Sequence, residues 1–528
     1  MNKKPSNVLF VTDEYYPINN GGIARLINTA ANELTSSKQH VTILICIEDT
    51  ESVISYRSKN KNEYLTIYSV NELLNGSQYS SEFPTWMPMM DKLHTSYRCA
   101  LAIRTLCNTH QFEMIEFNDC WGLGYVYLKW RKLFNDEFTK IPSWIRLHGT
   151  MENCMKSDLI NENDFFYPYH YNFFEMEKKS LLMSDGIISP SISVANWYIK
   201  DYQLPNIDIV SSTPSFEKIG QNMIHPRKIV ETPFKVLYYG RIQHLKGVDN
   251  LIDAVIKIFY ENKISIQVEL IGKVINNYDQ YLLNRIPDEL KPNFKFVGLI
   301  DPKELPNYAL KSNVAIITSR TETFCLAAHE LNWIGIPLIL NKIAAFKDFF
   351  DDNKNCLIYD NTSESLANKI LDFYSSNKCN LENNAQEIAK QHDANQTYKE
   401  LKIKNKIYNI NDKYEVLTSE NYLSLFCLLT LVTLEEKDRK NISTSVNNFY
   451  IPNIFSPIFY SKTSIENLNV ITLLLNSQGQ KTTDYSKELN DITEFYNNEY
   501  EVLPLWYKRV GHIIKVATGK RSFKSLFN

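Results

Sequence analysis

The sequence lacks the cysteine patterns that stabilise small secreted proteins or bind zinc. Its nine cysteines are odd in number, scattered along 528 residues, and never form a Cys-x-x-Cys pair. This pattern argues against a disulfide framework and against a structural zinc site. We therefore expect a chain that folds in the reducing cytoplasm.

Long apolar runs are missing as well. Residues 1–17 contain basic side chains, but Asp13 and Glu14 interrupt the apolar run early, which is unlike a signal peptide. The longest other apolar run, at 422–434, is shorter than the roughly 20 residues that a membrane-spanning helix needs. The sequence predicts a chain that is soluble or bound at a membrane surface.

Neither sign of charge is in excess. The 57 Lys and Arg residues face 60 Asp and Glu residues, so the formal net charge is −3. This balance gives no electrostatic reason to expect nucleic acid as a partner. What the chain does have is 44% hydrophobic residues, enough for more than one core, and its length predicts about three domains.

Short β-branched runs recur, each followed by a turn and a segment of helical period, which is typical of α/β domains. The predicted strands lie at 7–12, 40–46, 114–119, 143–149 and 186–191, and then at 234–241, 266–273, 294–299, 313–319, 336–341 and 356–360. We predict two doubly wound, Rossmann-like parallel sheets that face each other across a cleft. The predicted division is an N-terminal domain at 1–215, a linker at 216–233, a second domain at 234–400 and a mainly helical C-terminal extension at 401–528.

Cationic residues follow the first strand of the second set, at the strand end where open parallel sheets bind ligands. Arg241 comes directly after VLYYG, and Lys246 precedes the helix that begins near Val248. An arginine fork, a lysine and helix amides together suit a diphosphate. The alternative is a solvated helix start that happens to be basic.

Two glutamates lie eight positions apart in SRTETFCLAAHELNWIGIP, residues 319–337. The pattern predicts a strand end, a loop and a helix that Gly335 closes. Glu322 falls at the strand end. Glu330 falls about two turns into the helix, where it points to the cleft or is a costly buried acid; a carboxylate there suits the hydroxyls of a ribose. The alternative is one exposed loop acid and one surface helix acid.

Together these residues resemble the retaining glycosyltransferases of the GT-B fold, glycosyltransferase family 4 (glycosyl transferases group 1). The resemblance rests on GR-x4-KGVD-x-LI-x-A beginning at Gly240, on SRTETFCLAAHE at 319–330, and on the double glycine at 21–22. It covers about residues 5–400. It implies a nucleotide-sugar donor and a saccharide acceptor, with the N-terminal domain on the acceptor side.

The resemblance also assigns roles. Arg241 and Lys246 would hold the donor diphosphate, Glu330 would bind the ribose, and Glu322 would act beside the transferred sugar. The donor site would be completed by Thr323, Phe324, Cys325 and Leu326.

On the N-terminal side, Gly21 and Gly22 would let the backbone approach the donor phosphate, and His148 would face the transferred sugar. The alternatives are a plain turn for the glycines and a histidine satisfied by backbone. For Glu116, Asn118 and Asp119, a turn or capping role is favoured over contact with acceptor.

Sugar transfer creates negative charge on the leaving diphosphate, and the predicted cations neutralise it. No Asp-x-Asp motif follows a predicted strand. We predict that no cofactor and no divalent metal are required. Front-face attack and a covalent intermediate on Glu322 both stay open.

The last segment, residues 503–528, carries six Lys and Arg residues without an acid, interleaved with aromatic and aliphatic side chains. Such a basic amphipathic tail predicts contact with anionic lipid at the inner face of the plasma membrane; a surface helix or an unstructured tail is the alternative. The first interpretation predicts a lipid-linked glycan acceptor and a role in bacterial surface polysaccharide biosynthesis. The competing functions are a nucleotide-sugar epimerase and a catalytically silent GT-B partner subunit or glycan-binding protein.

Overall fold

The computed structural model describes residues 3–407, apart from residues 20, 47–48, 75–90, 134–136, 161–167, 205–206, 221–232 and 377–380. The predicted extension beyond residue 407, with its basic tail at 503–528, lies outside the described residues, as does most of the predicted linker. Within the described ranges, no helix is both long enough and apolar enough to cross a membrane.

The N-terminal domain is built on a parallel sheet. Its strands are β1 (Lys4–Ser6), β2 (Val8–Thr12), β3 (Val41–Ile45), β4 (Leu65–Ser69), β5 (His110–Phe112), β6 (Ile115–Asn118), β7 (Ser143–Arg146), β8 (Gly186–Ser189) and β9 (Asp208–Ser211). Seven of them pair in the order β4-β3-β2-β6-β7-β8-β9, while β1 pairs with β5 alone. Every residue of β2, β3, β6, β7 and β8 is buried, because helices cover both faces of such a sheet.

The helices of this domain are α1 (Gly22–Ser36), α2 (Thr50–Lys59), α3 (Val70–Leu74), α4 (Asp91–Cys107), α5 (Tyr125–Leu133), α6 (Met151–Ser157), α7 (Pro168–Met183) and α8 (Ile192–Tyr202). Helices α6 and α8 begin within five residues of the carboxyl ends of β7 and β8, and α1 follows β2 after a longer loop. Their N-terminal turns therefore lie at the sheet edge where ligands bind.

The second domain repeats the architecture. Its strands are β10 (Phe234–Tyr239), β11 (Ile266–Ile271), β12 (Phe294–Gly298), β13 (Val314–Ile317), β14 (Leu338–Asn341) and β15 (Leu357–Tyr359), all parallel in the order β12-β11-β10-β13-β14-β15. The helices that follow are α9 (Val248–Asn262), α10 (Tyr278–Arg285), α11 (Leu305–Lys311), α12 (Leu326–Ile334), α13 (Ser363–Ser376), α14 (Ala385–Lys390) and α15 (Ala394–Ile407).

The two predicted parallel sheets are confirmed, although several strands end earlier than predicted because the polar residues that follow them belong to loops. The short pair β1 and β5 was not predicted, and neither were strands β4 and β9. Their sequences, LTIYS and DIVS, are short and mix polar with apolar residues, so they lack the continuous apolar run of a central strand.

Helix α15 returns to the N-terminal domain. Ala394, Tyr398 and Leu401 have helical spacing and join the core formed around β2 and β3. Trp144 of β7 donates a hydrogen bond from Nε1 to Asn405 Oδ1 at 2.9 Å. Within residues 3–407 the chain therefore crosses between the domains twice, and α15 packs with the N-terminal sheet although residues up to 400 were predicted in the second domain.

A buried ionic network anchors this helix. Arg146 donates from Nε and Nη2 to the two carboxylate oxygens of Glu116 at 2.6 and 3.1 Å. The Tyr398 hydroxyl donates a short hydrogen bond to the same carboxylate. Glu116 and Arg146 are 3% and 4% exposed. Glu116 therefore joins α15 to the sheet and is too deeply buried to contact an acceptor.

Candidate active site

The cleft between the sheets holds a cavity of about 670 Å³, within the range of small-molecule sites. Residues that follow strands β2, β7, β10 and β13 line it, as expected at the carboxyl ends of parallel strands. The predicted site residues that line the cavity are Gly21, Gly22, His148, Arg241, Lys246, Glu322, Thr323, Phe324, Cys325 and Leu326. The structure thus brings together every predicted site residue except Glu330.

Arg241 and Lys246 lie on the C-terminal side of the cavity. Lys246 ends a 3-10 turn, and Gly247 follows it with a positive φ of 65°. A Cβ atom at Gly247 would lie 2.1 Å from the carbonyl oxygen of Thr318, so only glycine lets the turn pack on the end of β13. This packing brings Lys246 to the loop that carries Glu322.

Lys246 and Glu322 form an ion pair, with Nζ 2.5 Å from Oε1. Ser319 Oγ donates to the same oxygen at 2.8 Å. Both charged side chains are 14% exposed, so solvent screens the pair weakly. The contact fixes the Glu322 carboxylate toward the cavity, and Lys246 keeps further N–H donors for a ligand.

Arg320 supports the site from outside the cavity lining, and the sequence analysis did not point it out. It pairs with Asp249 through two hydrogen bonds, Nη1 to Oδ1 at 2.9 Å and Nη2 to Oδ2 at 2.6 Å, and also donates to the carbonyl of His244. Burial acts to raise the pKa of Asp249, but Arg320 outweighs it, and the pKa lies below its usual value. The pair joins the lysine turn to the glutamate loop. Asp249 in KGVD and Arg320 in SRTET were the sequence signals from which this ion pair could have been predicted.

Helix α12 begins at Leu326 after Cys325, whose φ is 66°, and ends at Gly335, whose φ is 86°. The predicted closure by Gly335 is confirmed. Because the helix begins only at Leu326, Glu330 lies about one turn into it instead of the two turns predicted.

Glu330 is 5% exposed. Burial, together with the charge of nearby Glu217, raises its pKa to about 7, although Arg25 opposes the shift. Its carboxyl group thus lies near the N-terminal domain and the inter-domain segment. In this structure Glu330 is thus a buried acid, which was one of the two predicted possibilities. The binding of a ribose by Glu330 stays a prediction.

The double glycine lies at the start of α1, across the cavity from Arg241. A Cβ atom at Gly21 would lie 1.9 Å from Glu14 Oε2, whereas one at Gly22 would meet nothing within 4 Å. Glu14 Oε2 accepts a 3.4 Å hydrogen bond from the N–H of Ala24. A carboxylate thus occupies the amide end of α1, where anions are favoured. Gly22 leaves the approach to these amides open.

His148 follows β7 and lines the cavity. Its backbone N–H donates to Asp119 Oδ1 at 3.0 Å, and its carbonyl accepts from Thr323 Oγ1 at 3.1 Å. Its ring atom Nε2 is buried and has no hydrogen-bond partner in the described part of the chain. Burial, aided by the charge of Arg146, lowers the pKa to about 3, so the ring is neutral. The backbone is satisfied, but the imidazole keeps a free polar atom.

Asn118 and Asp119 have structural roles, although they bind neighbouring strand ends and loops instead of forming the turn or cap that was favoured. Asn118 donates to Thr12 Oγ1 at 3.0 Å. Asp119 is 1% exposed and accepts from the backbone N–H groups of His148 and Gly149. Burial raises its pKa to about 6. These bonds fix the loop that presents His148.

The domains contact each other across the cleft through hydrogen bonds. Thr323 Oγ1 donates to the carbonyl of His148 at 3.1 Å. The N–H of Leu245 donates to Asp158 Oδ1 at 2.6 Å. These contacts bring the loops of both domains together around the cavity.

Metal-ligand geometry is missing from the described part of the chain, where no group of three or more His, Cys, Asp and Glu side chains is placed to hold an ion. The seven cysteines in these ranges carry free thiols. The charges facing the cavity from the C-terminal side are thus those of Arg241, Lys246 and Glu322.

Known proteins match this chain over both domains. The family model described as Glycosyltransferase Family 4 matches residues 20–212, and that described as Glycosyl transferases group 1 matches residues 221–392. An uncharacterized 41.2 kDa protein in the cps region of Klebsiella pneumoniae is 25% identical over an alignment of 388 residues that covers 71% of this chain and 92% of that protein.

Solved structures share the fold. Sucrose-phosphate synthase from Thermosynechococcus elongatus has a TM-score of 0.56 at 17% identity and covers 75% of this chain and 97% of its own. HepE from Anabaena, crystallised in complex with UDP, has a TM-score of 0.51 at 14% identity and covers 76% of this chain and 100% of its own. The predicted GT-B fold class is confirmed.

Proposed function

Because the chain belongs to the GT-B glycosyltransferases of family 4, glycosyl transferases group 1, we propose that it moves a sugar from a nucleotide-sugar donor to a saccharide acceptor with retention of configuration and without a divalent metal. The observation that carries the proposal is the meeting of Arg241, Lys246 and Glu322 in one cavity between the domains. The UDP bound by HepE supports a nucleotide donor.

The donor diphosphate binds on the C-terminal side. Arg241 offers a bidentate fork and Lys246 a point charge, and both are suited to phosphate oxygens. The Glu14 carboxylate already takes the N–H of Ala24 at the start of α1, so the positive charge for the diphosphate comes from Arg241 and Lys246. These cations neutralise the charge of the leaving diphosphate, and a metal ion has the same role in other transferases.

Transfer breaks the bond between the anomeric carbon and the diphosphate oxygen, whose electron pair leaves with the nucleotide. The acceptor hydroxyl oxygen forms the new bond to that carbon, and its proton passes to a phosphate oxygen of the leaving group. Glu322 stabilises the positive charge that develops on the sugar ring. Neutral His148 hydrogen-bonds a sugar hydroxyl through Nε2.

The pathway is proposed from two further observations. A relative lies in a cps region, which supports a role in bacterial surface polysaccharide biosynthesis. The basic tail at 503–528 supports a lipid-linked acceptor and a peripheral position at the inner face of the plasma membrane.

Donor binding and hydrolysis test the proposal. Purified protein is screened by thermal stabilisation and nucleotide release against UDP-, GDP- and dTDP-sugars in the presence of EDTA. One donor should stabilise the protein and be hydrolysed slowly.

Two variants separate binding from turnover. Arg241→Ala should bind that donor at least tenfold more weakly, since a charge-assisted hydrogen bond contributes about 1.5–3 kcal/mol. Glu322→Gln should keep binding but lose turnover. Loss of binding in EDTA contradicts metal independence, whereas absence of any donor binding favours the silent-partner alternative. Stereochemistry is checked by NMR of the product.

A further inference from the structure

Trp121 has a backbone conformation that bulky residues rarely adopt. It follows β6 with a φ of 62°, and Gly122 continues in the same region with a φ of 60°. A left-handed conformation at such a residue persists only where the surroundings impose it, and it is common at ligand sites. The half-buried indole borders the cavity.

Glu177 imposes this conformation. Its carboxylate, 0% exposed, accepts the backbone N–H of Trp121 at 2.7 Å and those of Met151 and Glu152 at 3.0 and 3.2 Å. One buried carboxylate therefore holds both the β6 loop and the first turn of α6. The indole ring of Trp121 makes an edge contact with the ring of Phe173, with 5.2 Å between the ring centroids. The indole is thus fixed as part of the cavity wall.

Asp13 lies on the neighbouring strand end. Strands β2 and β6 pair directly, so Asp13 and Trp121 follow adjacent strands, and both line the cavity. Asp13 Oδ1 is buried without a hydrogen-bond partner in the described residues. Lys92 connects the two, because its Nζ lies 4.2 Å from the Trp121 ring centroid and its charge acts on Asp13.

The charges on this side favour an uncharged ligand. Asp13, Glu14 and Asp158 line the N-terminal part of the cavity. Arg25, which also lines it, is paired with Glu217 at 2.8 Å. The cavity-lining cations Arg241 and Lys246 come from the opposite domain and are needed for the diphosphate. Lys92, which lies over the Trp121 ring and acts on Asp13, offsets one of these three carboxylates. A carboxylated sugar would therefore still meet net repulsion here, whereas the hydroxyl groups of a neutral sugar would find Asp13 Oδ1 as an acceptor.

We propose that Trp121 and Asp13 form the acceptor subsite for an uncharged pyranose, whose ring packs on the indole while a ring hydroxyl donates to Asp13 Oδ1. Glu177 is a positioning residue for this subsite. The inference rests on the proposed function and adds the class of acceptor to it. A pyranose presents C–H groups to an aromatic face and hydroxyls at its edge, and the wall offers both surfaces.

Simple glycosides are the probes. Octyl β-glucoside, octyl β-galactoside, octyl N-acetyl-β-glucosaminide and octyl β-glucuronide are each added at saturating donor, with nucleotide release and product mass as readouts. At least one neutral glycoside should accelerate nucleotide release beyond hydrolysis by water. The glucuronide should have a kcat/KM at least tenfold lower than that of octyl β-glucoside.

Variants locate the subsite. Trp121→Ala should lower kcat/KM for the best glycoside at least tenfold, mainly through KM, while donor Kd and hydrolysis without acceptor stay within twofold. Trp121→Phe should restore most of the loss because it keeps an aromatic wall. Asp13→Asn should lower kcat/KM at least tenfold. Glu177→Gln should raise the acceptor KM and leave the donor Kd unchanged. Trp197→Ala, a half-buried tryptophan of the same domain outside the cavity, is the matched control and should behave as wild type.

The outcomes separate this inference from the proposed function. If wild-type protein binds no donor, the proposed function fails, and the inference fails with it. If a donor is hydrolysed but no neutral glycoside accelerates release, or the glucuronide is preferred, the inference alone is overturned. It is also overturned if Trp121→Ala leaves the acceptor KM unchanged or impairs donor hydrolysis as much as transfer.

Discussion

Glu330 should make both stability and donor binding depend on pH. Its carboxyl group is 5% exposed, and burial raises its pKa to about 7 from an ordinary value of 4.5. The folded protein thus keeps a proton that the unfolded chain loses. Glu330→Gln removes this titration and keeps the shape of the side chain, so the variant isolates the contribution of one group.

The sign and size of the effect on stability follow from the difference between the pKa of Glu330 in the folded protein and in the unfolded chain. Stability from a raised carboxyl pKa is fully present below pH 4.5 and is lost as the pH rises to about 7. Each pKa unit corresponds to about 1.4 kcal/mol, so the shift corresponds to roughly 3 kcal/mol. Relative to wild type, Glu330→Gln should gain about that much free energy of unfolding between pH 4.5 and pH 8. Urea titrations at a series of pH values measure the difference.

Donor binding should depend on pH in the opposite direction and become tighter as the pH rises, because ribose hydroxyls donate best to an ionised carboxylate. With a pKa of about 7, roughly nine-tenths of the group is protonated at pH 6, so the wild-type Kd should fall about tenfold from pH 6 to pH 8. A nucleotide-sugar is the proper ligand, because the terminal phosphate of a free nucleotide titrates near pH 6.

Calorimetry in two buffers should show proton release on binding near pH 7 for wild type. Glu330→Gln should bind more weakly at pH 8, with no release from this group. An unchanged pH slope in the variant would refute the ribose role. A stability difference that is flat with pH would refute the raised pKa itself.

Three further variants test the framework of the site. Gly247→Ala should lower the free energy of unfolding by about 2–4 kcal/mol, since its Cβ atom would lie 2.1 Å from a carbonyl oxygen in a left-handed turn; Gly298→Ala, with a φ of 83° and open space, is the control and should lose about 1 kcal/mol in the same urea titration. Tyr398→Phe removes a hydrogen bond to a buried carboxylate and should cost about 1–3 kcal/mol, seen as a lower Tm without a change in donor Kd. Asp249→Asn breaks the paired hydrogen bonds with Arg320 and should cost about 2–4 kcal/mol and weaken donor binding; an unchanged donor Kd would contradict the positioning role of the pair.

Local signals predicted much of the fold. The apolar runs of β2 and β10, and the glycine that closes α12, are properties of a few consecutive residues, so the elements appear where expected. Lys246 and Glu322 were also foreseeable as neighbours, because both follow strands of one parallel sheet. Their direct ion pair at 2.5 Å is a finding of the structure.

Other features depend on residues distant in sequence. Glu177 meets the Trp121 loop only after α7 packs against α5 and α6, and nothing in NDCWGLG indicates which carboxylate will hold it. The destination of α15 is similarly hidden, since Tyr398 finds its partner Glu116 across 282 positions. The depth of Glu330 depended on where α12 begins, and a positive φ at Cys325 moved that point.

The return of α15 has a consequence for biosynthesis. Its side chains Ala394, Tyr398 and Leu401 complete the core beside β2, yet the last N-terminal strand ends at Ser211. A ribosome adding about 5–20 residues per second needs roughly 10–40 s for the intervening stretch. During that time the nascent chain exposes an apolar face that its own unsynthesised end will cover. The N-terminal domain is therefore synthesised first but completes its core only after α15 has been made. A chaperone that binds exposed apolar surface would act on the nascent chain during that interval.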